Sequence, residues 1–231
     1  MAQKEGKVRV YLEIGSKRVF AGALEWPGWC RSGKDEGSAL GSLLEYVPRY
    51  AKVLRRTKLG FTSPRDGSAF KVVERLEGDA TTDFGAPGRT PKFDQEPVDA
   101  RELARSQDLL EACWKAFDSA VDAASGKELR KGPRGGGRDI DKIVQHVLEA
   151  EAGYLARIGT KHKVDEKAAR DDEFARVRET MLEALSSAAG SEPVRKGPRG
   201  GTRWTPRYCV RRSAWHVLDH AWEIEDRAIN R

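Results

Sequence analysis

The sequence predicts an α+β protein, with a small ββαβ unit and linker over residues 1–97 and a four-helix bundle over residues 98–231. Three observations predict this. Residues 7–15 alternate apolar and polar with a period of two, the spacing of a half-buried strand, and the run over 18–26 that follows the turn is high in apolar content. From Val98 the period lengthens to three and four, the spacing of an amphipathic helix. Four long stretches keep that second register and are separated by loops rich in Gly and Pro.

The elements follow in order. KVRVYLEIG places Val8, Val10, Leu12 and Ile14 on one strand face, Gly15-Ser16-Lys17 turns the chain, and RVFAGALEW returns as the second strand of a hairpin. Pro27-Gly28 breaks that strand. A helix is predicted from Asp35, because Leu40, Leu43, Leu44, Val47 and Tyr50 recur at helical spacing, with Pro48 kinking or dividing it. AFKVVERLEG reads as a further strand. Asp79–Asp99 reads as a linker or ordered loop, and its Phe84 and Phe93 are expected to pack on something.

In the second half, SQDLLEACWKAFDSAVDAA is the first bundle helix and ends near Gly126. Asp139 caps the second, DIDKIVQHVLEAEAGYLARIG. A third is expected over Asp165 to Ala189, stopping at Gly190, and TPRYCVRRSAWHVLDHAWEIEDRAI is the last. The heptapeptide at Lys131–Gly137 recurs at Lys196–Thr202 with only its last residue changed, each copy preceding a helix that carries histidine. A similarity of seven residues does not establish a repeat architecture.

Composition narrows the classes. With 39% hydrophobic and 34% charged residues and a mean hydropathy of −0.65, the chain is polar, and no apolar run approaches the roughly 20 residues that span a bilayer. The amino-terminal MAQKEGKVRV lacks an apolar secretory segment, so a cytoplasmic location is expected. Cys30, Cys113 and Cys209 are odd in number and widely spaced, which argues for reduced thiols and against a disulfide framework. The net charge of +6 comes from 42 basic residues against 36 acidic ones spread along the chain. Nucleic-acid binding needs basic residues collected on one face, so it ranks below other functions.

Four histidines are present, and His216 and His220 are spaced HxxxH. On a helix, positions i and i+4 stand one above the other and can chelate one ion. His146 lies two turns into another bundle helix, and three imidazoles would leave a coordination position open, as catalytic zinc does. Zinc is the first expectation, with nickel or iron as alternatives. Glu149, Asp219 and Glu223 each follow a histidine by three residues and are candidate ligands, imidazole-orienting partners or bases, with Glu149 and Glu223 as the candidate catalytic carboxylates. Arg211 and Arg212, one turn above His216, are candidate binders of an anionic cofactor. Against this stands core packing: HxxxH is common in charged helices, Cys209 reads as a small buried hydrophobe, and His162 in GTKHKVD is expected to be solvated.

IVQHVLEAEAGYL and AWHVLDHAWEIEDR resemble the second-helix and fourth-helix signatures of the DinB/YfiT-like metal-binding four-helix bundles, over roughly residues 101–231. The resemblance implies that His146, His216 and His220 form a metal triad. It also implies dimerisation and, in some members, thiol S-transferase or isomerase activity using a low-molecular-weight thiol. The run WPGWCRSGKDEGSALGSLLEY is similar to the strand, turn and helix of HicB-like modules, with Trp29 intervening between Gly28 and Cys30. That similarity implies a small αβ domain without a catalytic residue.

Three functions follow as expectations. The first is an enzyme, a metal-dependent thiol transferase or related hydrolase acting on a small molecule, with Lys131, Arg134, Lys196 and Arg199 of the basic loops attracting carboxylates of a cofactor. The second is a non-catalytic ligand- or partner-binding protein in which the metal is structural. The third, ranked last, is nucleic-acid contact through the twin KGPRGG loops.

Overall fold

An alternating run followed by an apolar one produces the hairpin at the centre of the first unit. In the computed structural model, which describes residues 7–131, 137–165, 167–188 and 202–229, the chain divides into two units, Met1–Glu96 and Pro97–Arg231. Strand β1 (Val8–Ile14) pairs antiparallel with β2 (Val19–Ala23), from Val10 opposite Ala23 to Ile14 opposite Val19. The Gly15 amide closes the turn by donating to the Arg18 carbonyl at 2.9 Å. Strand β4 (Phe70–Glu77) runs parallel to β1 on its other side.

The sheet has one strand more than the sequence suggested. Pro27-Gly28 does end β2's run, but Gly28 takes φ 91° and the Trp29 amide donates to the Trp26 carbonyl. The chain therefore turns back and pairs again as β3 (Cys30–Gly33), giving the order β3-β2-β1-β4. A four-residue strand reading CRSG carries no alternation to announce it. Pro48 divides the predicted helix into α1 (Glu36–Glu45) and α2 (Val47–Leu54), because proline fits the first turn of a helix but not its interior. Trp29 is fully buried, stacks on Tyr50 at 5.7 Å, meets Phe61 and Phe70 edge-on, and donates its indole N–H to the Leu43 carbonyl at 2.8 Å.

The 79–99 stretch is ordered chiefly by one carboxylate. Glu13 of β1 is fully buried and accepts from Thr82 Oγ1 at 2.6 Å, the Gly88 amide at 2.9 Å and the Arg89 amide at 3.0 Å. A short helix α3 (Ala80–Phe84), capped by Asp79, brings Thr82 there. Burial pushes the Glu13 carboxyl up, and the three donors pull it part of the way back. Phe93 lies under the Arg9 guanidinium at 5.1 Å. Phe84, expected to pack, is instead 91% exposed, because α3 is anchored through its polar face.

The second unit contains α4 (Ala100–Ala123), α5 (Ile140–Ile158), α6 (Arg170–Ser187) and α7 (Pro206–Arg227). Asp99, Asp139 and Thr205 cap α4, α5 and α7 with side-chain oxygens, and Gly159 ends α5 in the left-handed region. Helix α6 begins later than Asp165: the Asp165 carboxylate folds forward onto the Lys167 amide, and its own amide donates to Glu173. Its predicted stop, Gly190, lies outside the described residues. Helices α4 and α5 each pack on both α6 and α7. Helix α7 is buried on nearly every side, from Tyr208 to Ile224, so it is the central helix of the unit and the place where buried polar residues need partners. Among the described residues no helix is long and apolar enough to cross a membrane.

Candidate metal centre

Helical spacing places His216 and His220 one above the other on α7, and the packing of α5 against α7 brings His146 to them. One ligand atom from each histidine lies within 4.8 Å of the others. The ring centroids are 5.1, 5.1 and 4.7 Å apart, and His146 Nε2 is 3.2 Å from His216 Nε2. Two facing imidazole nitrogens need a proton or a cation between them. The donor set fits a metal: ligands at about 2.1 Å from a tetrahedral ion are about 3.4 Å apart.

The electrostatics favour neutral rings at His216 and His146, the form that binds metal. Burial pushes His216 well below its usual value, and His220, Arg212, His146 and Arg138 add to the effect. Burial also lowers His146, helped by Arg138 and His220 and opposed by Glu149 and Glu223. His220 exchanges a 2.8 Å hydrogen bond with Glu223 through Nδ1, which leaves Nε2 for the cluster. The other Glu223 oxygen accepts from Arg227, whose guanidinium also donates to the Arg130 and Arg138 carbonyls at 2.9 and 2.8 Å. Burial raises the Glu223 carboxyl, but the bonds from His220 and Arg227 outweigh it and hold the group below its usual range.

The remaining sequence candidates are distributed unevenly around the triad. Glu149 is exposed and accepts from Gln145 Nε2 at 2.9 Å, and Asp219 is half-buried on α7. Arg211 is buried. Arg212 lies over the Trp215 ring at 4.5 Å and 6.0 Å from the Tyr154 ring, and its Nη1 is buried with no hydrogen-bond partner among the described residues. Cys209 is buried against the Met181 sulfur at 3.5 Å, with its thiol pushed up to about 12 by burial, so it packs as a hydrophobe. Arg134, Lys196 and Arg199 lie outside the described residues, whereas Lys131 is exposed.

Two polar constellations were not anticipated. His162, expected to be solvated, is only 12% exposed and shares a 2.8 Å hydrogen bond with Glu173, which also accepts from Arg176 and the Asp165 amide. Burial raises the Glu173 carboxyl, yet these bonds together hold it below its usual 4.5. A depressed carboxyl stabilises the fold above the unfolded value, and that contribution is lost as pH falls through the folded value. His162→Ala is therefore expected to cost about 1–2 kcal/mol at pH 7 and to flatten the acid limb of the stability curve, read by urea unfolding from pH 7 to 3.

The second joins all four helices. Glu151 of α5 is fully buried and accepts from the Trp114 indole of α4 and from Ser213 Oγ of α7 at 3.1 Å. Its other oxygen lies 3.8 Å from Arg178 Nε of α6, and that guanidinium makes two 2.8 Å bonds to Asp118 of α4. Burial raises the Glu151 carboxyl and Arg178 draws it back. A signal was present in the sequence, since Glu151 falls in line with Val144, Leu148 and Leu155 on the apolar stripe of α5.

A family model described as the DinB superfamily matches residues 109–224, a span that includes all three clustered histidines. No curated protein and no solved structure gives a significant match.

Proposed function

The chain belongs to the DinB superfamily, and from that membership and the three converging imidazoles we propose that residues 98–231 are a metal-binding four-helix bundle acting as a thiol S-transferase or related hydrolase. The observation that carries the reading is the approach of His146 and His216 through Nε2, with His220 beside them and burial holding the His146 and His216 rings below their usual values. His146, His216 and His220 would hold a divalent ion, zinc first and nickel or iron as alternatives. Such an ion lowers the pKa of a thiol or water at its open position. Glu223 fixes the tautomer and direction of His220. Glu149, exposed beside the cluster, is the carboxylate left to accept a proton. The co-substrate would be a low-molecular-weight thiol in the cytoplasm, and the protein would form a homodimer, as the family resemblance implies.

One observation favours a second reading, a non-catalytic ligand-binding or sensor protein. Both oxygens of Glu223 are already engaged, so it orients His220 and is not poised as a base. Metal-dependent consumption of a thiol with an electrophile would separate the two readings in favour of the enzyme. For residues 1–97 we keep the HicB-like reading, supported by the hairpin, the Trp29-Cys30 turn and the capped helix α1, as a module for ligand or partner binding.

The first test is metal content by plasma mass spectrometry, on protein purified without a histidine-rich tag. Near-stoichiometric zinc, nickel or iron is expected in the wild type and its loss in His216→Ala. A wild type that carries no metal and cannot be loaded overturns the reading.

A further inference from the structure

On helix α7 the buried Arg212 Nη1 and His216 Nδ1 have no hydrogen-bond partner among the described residues. Four residues apart on one helix, their side chains are neighbours one turn apart, and the Arg212 charge is felt at the His216 ring. Leaving buried polar atoms unpaired is costly, and each unpaired atom in a native fold calls for a partner.

The kind of partner follows from the chemistry of the two atoms. A guanidinium nitrogen can only donate. His216 turns Nε2 toward His146, so an ion held at Nε2 fixes the remaining proton on Nδ1, which then also donates. Two neighbouring donors, one of them permanently charged, favour an acceptor-only group with negative charge, and a carboxylate is such a group. The surroundings limit its size and character. Trp215 lies against Arg212 at 4.5 Å, Tyr154 is 5.8 Å from His216, and Trp204 is 5.0 Å from Tyr154, so aromatic rings line the approach. Burial opposes ionisation of the Tyr154 hydroxyl, and the neighbouring Arg212 side chain draws it part of the way back.

We propose that Arg212 and the Nδ1 edge of His216, flanked by Tyr154 and Trp215, form a carboxylate subsite beside the three histidines, so that the small-molecule ligand of this protein is an acid. The role of His216 Nδ1 rests on the metal reading above, whereas that of Arg212 does not. Arg211, also expected at an anion site, has no part in it.

The test uses a matched pair of probes, 3-mercaptopropionate and 2-mercaptoethanol, which share a thiol and differ in the carboxylate. Both are titrated into zinc-loaded and metal-free full-length protein, with binding read by calorimetry and tryptophan fluorescence and zinc content measured in each sample. The wild type is expected to bind the carboxylate thiol roughly tenfold or more tightly than the neutral one. Arg212→Gln is expected to erase the preference with zinc content unchanged, and Arg212→Lys to keep part of it. If zinc is held and the wild type shows no preference, the subsite is occupied by water and the proposal falls while the metal reading stands. If no zinc is held, the metal reading falls, and an Arg212-dependent preference in the metal-free protein still supports the subsite. Equal binding of both probes in the metal-free protein then overturns it. The metal-free wild-type comparison, where no zinc can hold the carboxylate, decides the matter even if a variant misfolds.

Discussion

Trp29→Ala is expected to unfold the first unit at ordinary temperature, at a cost of about 3–5 kcal/mol. Trp29 is the largest fully buried side chain of the unit and touches the rings of Tyr50, Phe61 and Phe70, which come from α2, the following loop and β4. Truncation removes that packing and leaves the Leu43 carbonyl at the heart of α1 without its indole donor. A small unit has little stability in reserve, so a loss of this size shifts it to the unfolded side. Near-ultraviolet circular dichroism and hydrogen exchange over residues 8–77 should show the collapse. Retention of protected amides in β1 and β2 would refute the central role of Trp29.

The second large effect concerns the polar crossing inside the helical unit. Arg178→Met is expected to cost about 3 kcal/mol at neutral pH, the low end for stripping one partner from a buried ion pair, because the Arg178 end is partly solvated. Glu151 would remain fully buried with two neutral donors and no cation. Its carboxyl, already raised by burial, would rise further. A raised carboxyl contributes stability below the unfolded value and loses it as pH climbs through the folded value, so the variant should approach the wild type near pH 4 and fall behind it by pH 7. Urea unfolding followed by the helical circular-dichroism signal at both pH values measures this, and an equal cost at both would mean that Glu151 is not the group affected.

Legibility varied with the kind of signal. The hairpin and the apolar faces of α4, α5 and α7 rest on period, and period is written in adjacent residues. The caps at Asp139 and the division at Pro48 rest on single residues whose local chemistry decides the backbone. The histidine cluster was visible because HxxxH fixes two of its members on one helix, and only the position of His146 depended on packing. β3 was not visible, since the four residues CRSG carry no alternation and become a strand only by joining the edge of a sheet already formed. Nor was the anchoring of Thr82, Gly88 and Arg89 on Glu13, or of His162 on Glu173, because those bonds join segments that the sequence gives no reason to place together. Glu151 lies between the two cases: its place on an apolar stripe marks it as buried, but its three partners come from three other helices.

The Arg227 guanidinium holds the carbonyls of Arg130 and Arg138, the residues flanking the 131–137 segment, while its remaining bond grips the carboxylate that aims His220. One side chain thus holds two backbone carbonyls and the carboxylate that aims His220. A molecule that displaces Arg227 from those carbonyls also loosens Glu223, and a cation that tightens His220 strengthens the hold on both carbonyls in turn. Thermodynamic linkage makes the two effects equal, so whatever factor a cation contributes to that hold, a ligand that favours the same hold returns to the affinity for the cation.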